Sequence, residues 1–205
     1  MREEDIDYLN EARPDYAGFV FAKSKKQLSP AQGEQLRSHL SEDIVPVGVF
    51  VDAPIAEVSG LYRNGIISIA QLHGTEDEEY IVRLKEECGI PVIKVYIKGI
   101  GMAFRRLSMP PIQKDNKQQP PVQTLPDYYL FDSGAGSGKV FDWSALENLK
   151  IDKPWFLAGG INVDNIGQAM TLNPFGIDLS SGAETDGLKD RKKILQLTNT
   201  VRNYK

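Results

Sequence analysis

Seven short runs rich in apolar and β-branched residues recur along the chain, each parted from the next by a longer stretch. The runs are 16–21, 46–51, 67–72, 91–97, 128–132, 154–158 and 175–179. Most are continuously apolar rather than alternating, as parallel strands covered on both faces should be. Helices are predicted between them over 30–41, 53–63, 75–87, 142–149, 162–171 and 189–202. Ser29-Pro30 supplies an N-cap with proline in the first turn, and Thr75-Glu76-Asp77-Glu78 reads as a capping box with an acidic first turn. Strands alternating with helices imply a parallel α/β sheet. Ahead of the first run lies an amphipathic segment with Ile6, Leu9 and Ala12 on one stripe, without a cap residue before Arg2 and without a preceding strand. The chain reads as a (β/α)8 TIM barrel whose first strand is missing, leaving about seven; an open doubly wound sheet is the alternative.

Composition narrows the class of partner. A chain of 205 residues, 41% apolar and 25% charged, fits one domain over 1–205 with a substantial core. A net charge of −4 argues against nucleic acid or an anionic membrane as partner. The single cysteine excludes an internal disulfide framework and suits a reducing compartment, so a cytoplasmic protein is expected. Residues 98–127 break the pattern, with Gly99, Gly101, Pro110, Pro111, Pro120, Pro121 and Pro126; an irregular, mobile segment is predicted there, either a plain surface connection or a lid.

The last two runs lead into Gly159-Gly160 and Ser180-Ser181-Gly182. Paired strand-to-helix turns of this kind set bare backbone N–H groups side by side near helix N-termini, which is a phosphate cradle. In a (β/α)8 barrel such a cradle belongs to the last two loops. Turns chosen only for their geometry are the plainer alternative. Asp132 closes the run 128–132, where barrel enzymes carry catalytic carboxylates, although it could simply cap the following Gly-rich turn. His73 follows a strand directly, and Gly134 to Gly138 form a further glycine-rich turn beside Asp132. Cys88 ends a helix and is expected at the opposite end of the barrel as a packed thiol. Asn162 is expected to cap the helix after it, while Lys94 points either into the barrel or toward the active end.

Asp15 to Phe21 with Lys23 to Lys26, Val47 to Val51, Gln71-Leu72-His73-Gly74, Phe131-Asp132, Gly136 to Lys139, Leu157 to Gly160 and Asp178 to Gly182 together resemble the phosphoribosylanthranilate isomerase family, in family order over nearly the whole chain. The resemblance implies the (β/α)8 fold and an aldose–ketose (Amadori) rearrangement of N-(5'-phosphoribosyl)anthranilate in tryptophan biosynthesis. It implies a small phosphorylated substrate, no cofactor and no metal, and a monomer or homodimer. Asp132 takes the position of the general acid. Lys26 stands where the family usually has an arginine for the anthranilate carboxylate, keeping the charge but losing the bidentate fork. Gln71, His73 and Gly138 take substrate-binding positions, and Gly159, Gly160, Ser180, Ser181 and Gly182 the phosphate-binding ones. The family's general base is a cysteine in a Lys-Ile-Cys-Gly strand absent before Arg2, so this chain is expected to be impaired, by about 100- to 10,000-fold for a lost general base. A non-catalytic phosphate-ligand-binding barrel remnant is the alternative.

Overall fold

The computed structural model describes residues 1–97, 126–132, 146 and 151–204. Helix α1 (Glu3–Ala12) comes first, then β1 (Tyr16–Val20), α2 (Pro30–His39), β2 (Val45–Phe50), α3 (Ile55–Arg63), β3 (Ile69–Leu72), α4 (Glu78–Cys88), β4 (Val92–Ile97), β5 (Tyr128–Asp132), β6 (Trp155–Ala158), α5 (Ile166–Thr171) and β7 (Gly176–Ile177). A 3-10 turn (Ser181–Ala183), a short hairpin of β8 (Glu184–Thr185) with β9 (Leu188–Lys189), and α6 (Arg191–Tyr204) complete it. All seven expected strands form one sheet in chain order, every neighbouring pair parallel. Parallel strands in unbroken chain order are the course of a barrel wall rather than a doubly wound sheet, whose strand order reverses.

Two-residue periodicity sorts each strand into an inner and an outer row. Val47, Ile69, Ile93, Val95, Leu130, Phe156 and Ala158 form the inner cluster. Outward residues such as Ala17, Phe19, Phe50, Leu72 and Val92 pack with Leu36, Val58, Leu61, Ile81 and Leu84 of the helices, and Tyr129, Phe131 and Leu157 pack with Ile166, Ala169, Ile194 and Leu197. Helix α1 packs on both α2 and α6, and Arg191 Nε donates to Glu11 at 2.6 Å. The helices therefore flank one another across the sheet's two margins, whereas β1 and β7 are not paired among the described residues.

Several local expectations are corrected. Helix α4 starts at Glu78, not 75; Asp77 is the cap, its carboxylate accepting from Tyr80 N–H at 2.9 Å, because Glu76 is turned inward to other partners. Helix α1 begins without a Ser, Thr, Asp or Asn cap, as read from the sequence, and the Asp5 carboxylate accepts from Arg2 N–H at 2.8 Å instead. Asn162 accepts from Asp164 N–H at 2.8 Å and so shapes a turn, while α5 begins only at Ile166. The last strand pairs over Gly176–Ile177 alone. The helix expected over 142–149 lies outside the described residues apart from Leu146, as does the irregular segment 98–127 apart from Pro126 and Asp127. Cys88 is half-buried at the C-terminal end of α4, its Sγ donating to Leu84 O at 3.4 Å. No described helix is long and apolar enough to cross a membrane.

Candidate active site

Strand parity decides which polar residues meet. Gln71 follows Ile69 in the inner row of β3, Asp132 follows Leu130 in that of β5, and Asp178 continues from Gly176 of β7. His73 keeps the same parity one step past β3, its N–H held by Phe50 O at 2.8 Å. All four line a cleft of about 860 Å³ at the C-terminal ends of the strands. Its deeper wall is the inner row, with Val47, Ile93, Leu130 and Phe156. Leu9 of α1 and Ile194 of α6 also line it, at the margin where β1 and β7 are not paired among the described residues.

The turn after β6 runs through Gly159 and Gly160 with φ of 91° and 69°, which glycine adopts without the penalty a Cβ brings. Asn165 Nδ2 and Asn162 Nδ2 donate to Gly160 O at 3.0 and 3.3 Å, fixing the turn from outside. The turn after β7 crosses directly over it. A Cβ on Gly182 would lie 1.8 Å from Ile161 O, so glycine is required there for close approach of two backbones. Both turns line the cleft. Instead of a helix directly after the second turn, the 3-10 turn and the hairpin intervene before α6. Asp186-Gly187 forms the hairpin tip with φ of 53° and 77°, the two positive values that a tight hairpin turn demands.

Beside that turn one carboxylate oxygen holds two ammonium groups. Glu184 Oε1 accepts from Lys26 at 2.6 Å and from Lys189 at 3.0 Å, and Lys189 also donates to Ser180 O at 3.1 Å. Lys26 Nζ reaches Ser180 Oγ at 3.5 Å, so the loop after β1 meets the turn after β7. The Glu184 side chain is largely covered, with 7% of it exposed. Burial pushes its carboxyl up, but the hydrogen bonds from Lys26 and Lys189 outweigh it and the net shift is downward.

On the facing wall His73 Nε2 comes within 3.6 Å of Asp132 Oδ2, near contact but beyond hydrogen-bond length. Asp178 sits close by and bonds to Gln71. It keeps some surface open to the cleft, yet surrounding protein withdraws it from bulk water. That desolvation, then repulsion from Asp132, raises its carboxyl above the ordinary range; His73, Lys189 and the Gln71 bond pull the other way.

Lys26, Gln71, His73, Asp132, Gly159, Gly160, Ser180, Ser181 and Gly182 thus gather around one cleft, while Gly138 lies outside the described residues. Sequence reasoning missed the roles of Glu184, Lys189 and Asp178. The Asp-Gly pair at 186–187 is a hairpin signal that folds Lys189 back toward Ser180. Asp178, noted in the sequence only as part of a matching block, has inner-row parity like Asp132. Of the two courses expected for Lys94 the second holds: it shares β4's outer row with Val92, outside the barrel interior, and its ammonium turns toward the active end, to the loop after β3.

An inward carboxylate row facing two crossed turns at the C-terminal mouth marks a (β/α)-barrel enzyme, whose sites lie at that end of the strands. A family model described as N-(5'phosphoribosyl)anthranilate (PRA) isomerase matches residues 1–200. The chain belongs to this family. It is 42% identical over 208 residues to the N-(5'-phosphoribosyl)anthranilate isomerase of Endomicrobium trichonymphae, covering 98% of this chain and 94% of the relative. It is 41% identical to that of Clostridium acetobutylicum, covering 100% and 95%. Among solved structures, the phosphoribosyl anthranilate isomerase of Thermotoga maritima superposes with a TM-score of 0.80 at 27% identity, covering 99% of this chain and 95% of that one. A phosphoribosyl anthranilate isomerase in complex with reduced 1-(o-carboxyphenylamino)-1-deoxyribulose 5-phosphate gives 0.75 at 25% identity, covering 98% and 94%.

Proposed function

We propose that the chain isomerises N-(5'-phosphoribosyl)anthranilate to 1-(2-carboxyphenylamino)-1-deoxyribulose 5-phosphate, a step of tryptophan biosynthesis, in the cytoplasm, as a monomer or homodimer. The observation that carries the site assignment is the shared cleft of Asp132 and the two crossed turns. Backbone amides of Gly159, Gly160, Ser180, Ser181 and Gly182 bind the phosphate, and glycine lets the oxygens approach the main chain. The Lys26 ammonium, beside the same turn, binds the anthranilate carboxylate. Gln71, His73 and Gly138 contact the substrate between these two anchors.

Ring opening needs a proton on the furanose oxygen, and Asp132 donates it, converting the aminoaldose to an iminium. A base then removes the C2 proton, and the enolamine tautomerises to the ketone. That base must approach from across the sugar, from the margin between β1 and β7. In the resembled family a cysteine in a Lys-Ile-Cys-Gly strand supplies it.

Steady-state turnover of this chain beside one extended by Lys-Ile-Cys-Gly tests both roles. The extended chain should be faster by about 100-fold or more, and Asp132→Asn within it slower by about the same factor. Equal turnover with and without the extension refutes the assigned base. Binding of the reduced product analogue by both chains with turnover by neither would identify a binding barrel instead.

A further inference from the structure

The loop after β3 is fastened by a buried ion pair that the reaction does not use. Lys94 and Glu76 are only 8% and 6% exposed, and Lys94 Nζ donates to Glu76 Oε2 at 2.8 Å and to Gly74 O at 2.9 Å. The remaining capacity of Glu76 goes to main chain: Oε1 accepts from Asp52 N–H at 2.8 Å and Oε2 from Gly74 N–H at 2.9 Å. Asp52, held at a φ of 49°, accepts from Thr75 N–H at 2.7 Å and Thr75 Oγ1 at 2.9 Å. A Cβ on Gly74 would meet Asp52 Oδ1 at 2.5 Å. Residues 74–76 are therefore bolted to Asp52, just past β2, and to Lys94, within β4, immediately after His73.

A buried ion pair seldom stabilises more than an apolar pair of equal volume, because desolvating two charges cancels most of their attraction. It does impose geometry, since each charge demands specific partners. We infer that Glu76 and Lys94 are positioning residues, which fix the turn so that the His73 ring stands against Asp132 and meets the part of the ligand remote from the phosphate. The ligand half of this statement rests on the functional reading above; the His73–Asp132 half does not.

The test uses the whole chain with Glu76→Gln and Lys94→Met. Amide hydrogens of Asp52 and Gly74 should exchange faster while those of β6 keep their rates. The His73 ring resonance should respond to Asp132→Asn in the otherwise unaltered protein and lose at least half of that response once Glu76→Gln is present. Displacing a contact group by about 1 Å costs up to roughly 100-fold, so affinity for the reduced product analogue should fall at least about tenfold, while that for inorganic phosphate stays within about threefold. A ring response that survives in full in both variants overturns the inference, as does proportional loss of both ligands. Should Glu76→Gln fail to fold, Asp52→Asn loosens the same loop more gently and must move the ring response in the same direction. An unaltered protein that binds neither ligand overturns the functional reading, while the ring response still decides the positioning role.

Discussion

Replacing Gly182 by alanine should separate the two crossed turns and cost phosphate affinity. The new methyl would sit 1.8 Å from Ile161 O, 2.8 Å from the Ile161 carbonyl carbon and 3.0 Å from Asn162 Cα, all backbone atoms. No rotamer relieves such a contact, so the turns must move apart by about 1.2 Å to bring the shortest distance to 3.0 Å. Overpacking of this kind costs about 1–3 kcal/mol of stability. Misplacing a binding group by about 1 Å can cost up to roughly 100-fold. Calorimetric titration with inorganic phosphate should therefore show a loss of about 10- to 100-fold, equivalent to about 1.4–2.8 kcal/mol. Thermal melting of the same sample checks that the barrel remains folded. A folded Gly182→Ala protein that binds phosphate within about twofold of the unaltered one refutes the assignment of the cradle.

Gly60 is the contrasting case: it lies inside α3 with nothing within 4 Å of the point a Cβ would occupy, so Gly60→Ala should raise stability by about 0.5–1 kcal/mol in a melt and leave phosphate titration unchanged. Asp178 has a raised carboxyl, so the folded state holds its proton longer than the unfolded one and stability falls as pH rises through that range. Asp178→Asn should accordingly be the more stable protein at pH 7 in denaturant titrations, the gap closing on acidification below the unfolded carboxyl value. Glu184 is shifted downward, which reverses the sign: its contribution is present above the unfolded carboxyl value and lost as pH falls through the folded one. Glu184→Gln should be less stable at neutral pH, with the deficit vanishing in acid.

The barrel wall is legible in the sequence because its signal is local. Continuous apolar runs such as Val47 to Phe50 leave no solvent face, and parallel strands are the structure that needs none. The two crossed turns are legible for a similar reason, since Gly159-Gly160 and Ser180-Ser181-Gly182 follow apolar runs directly. What escapes depends on long-range pairing. Glu76 looks like part of a capping box because Glu in a first turn is favourable anywhere; only Lys94, eighteen residues on, explains why it turns inward. Glu184 meets Lys26 across 158 positions, a separation that no local pattern encodes. The role of Gly182 is half visible: a bare backbone is expected there, whereas the close crossing over Ile161 is what demands a missing side chain.

Two ammonium groups held side by side repel each other unless an anion stands between them. Glu184 answers that need from within, satisfying Lys26 and Lys189 with a single oxygen. On the function proposed above, an anionic ligand that reaches Lys26 competes with a carboxylate already bonded to it.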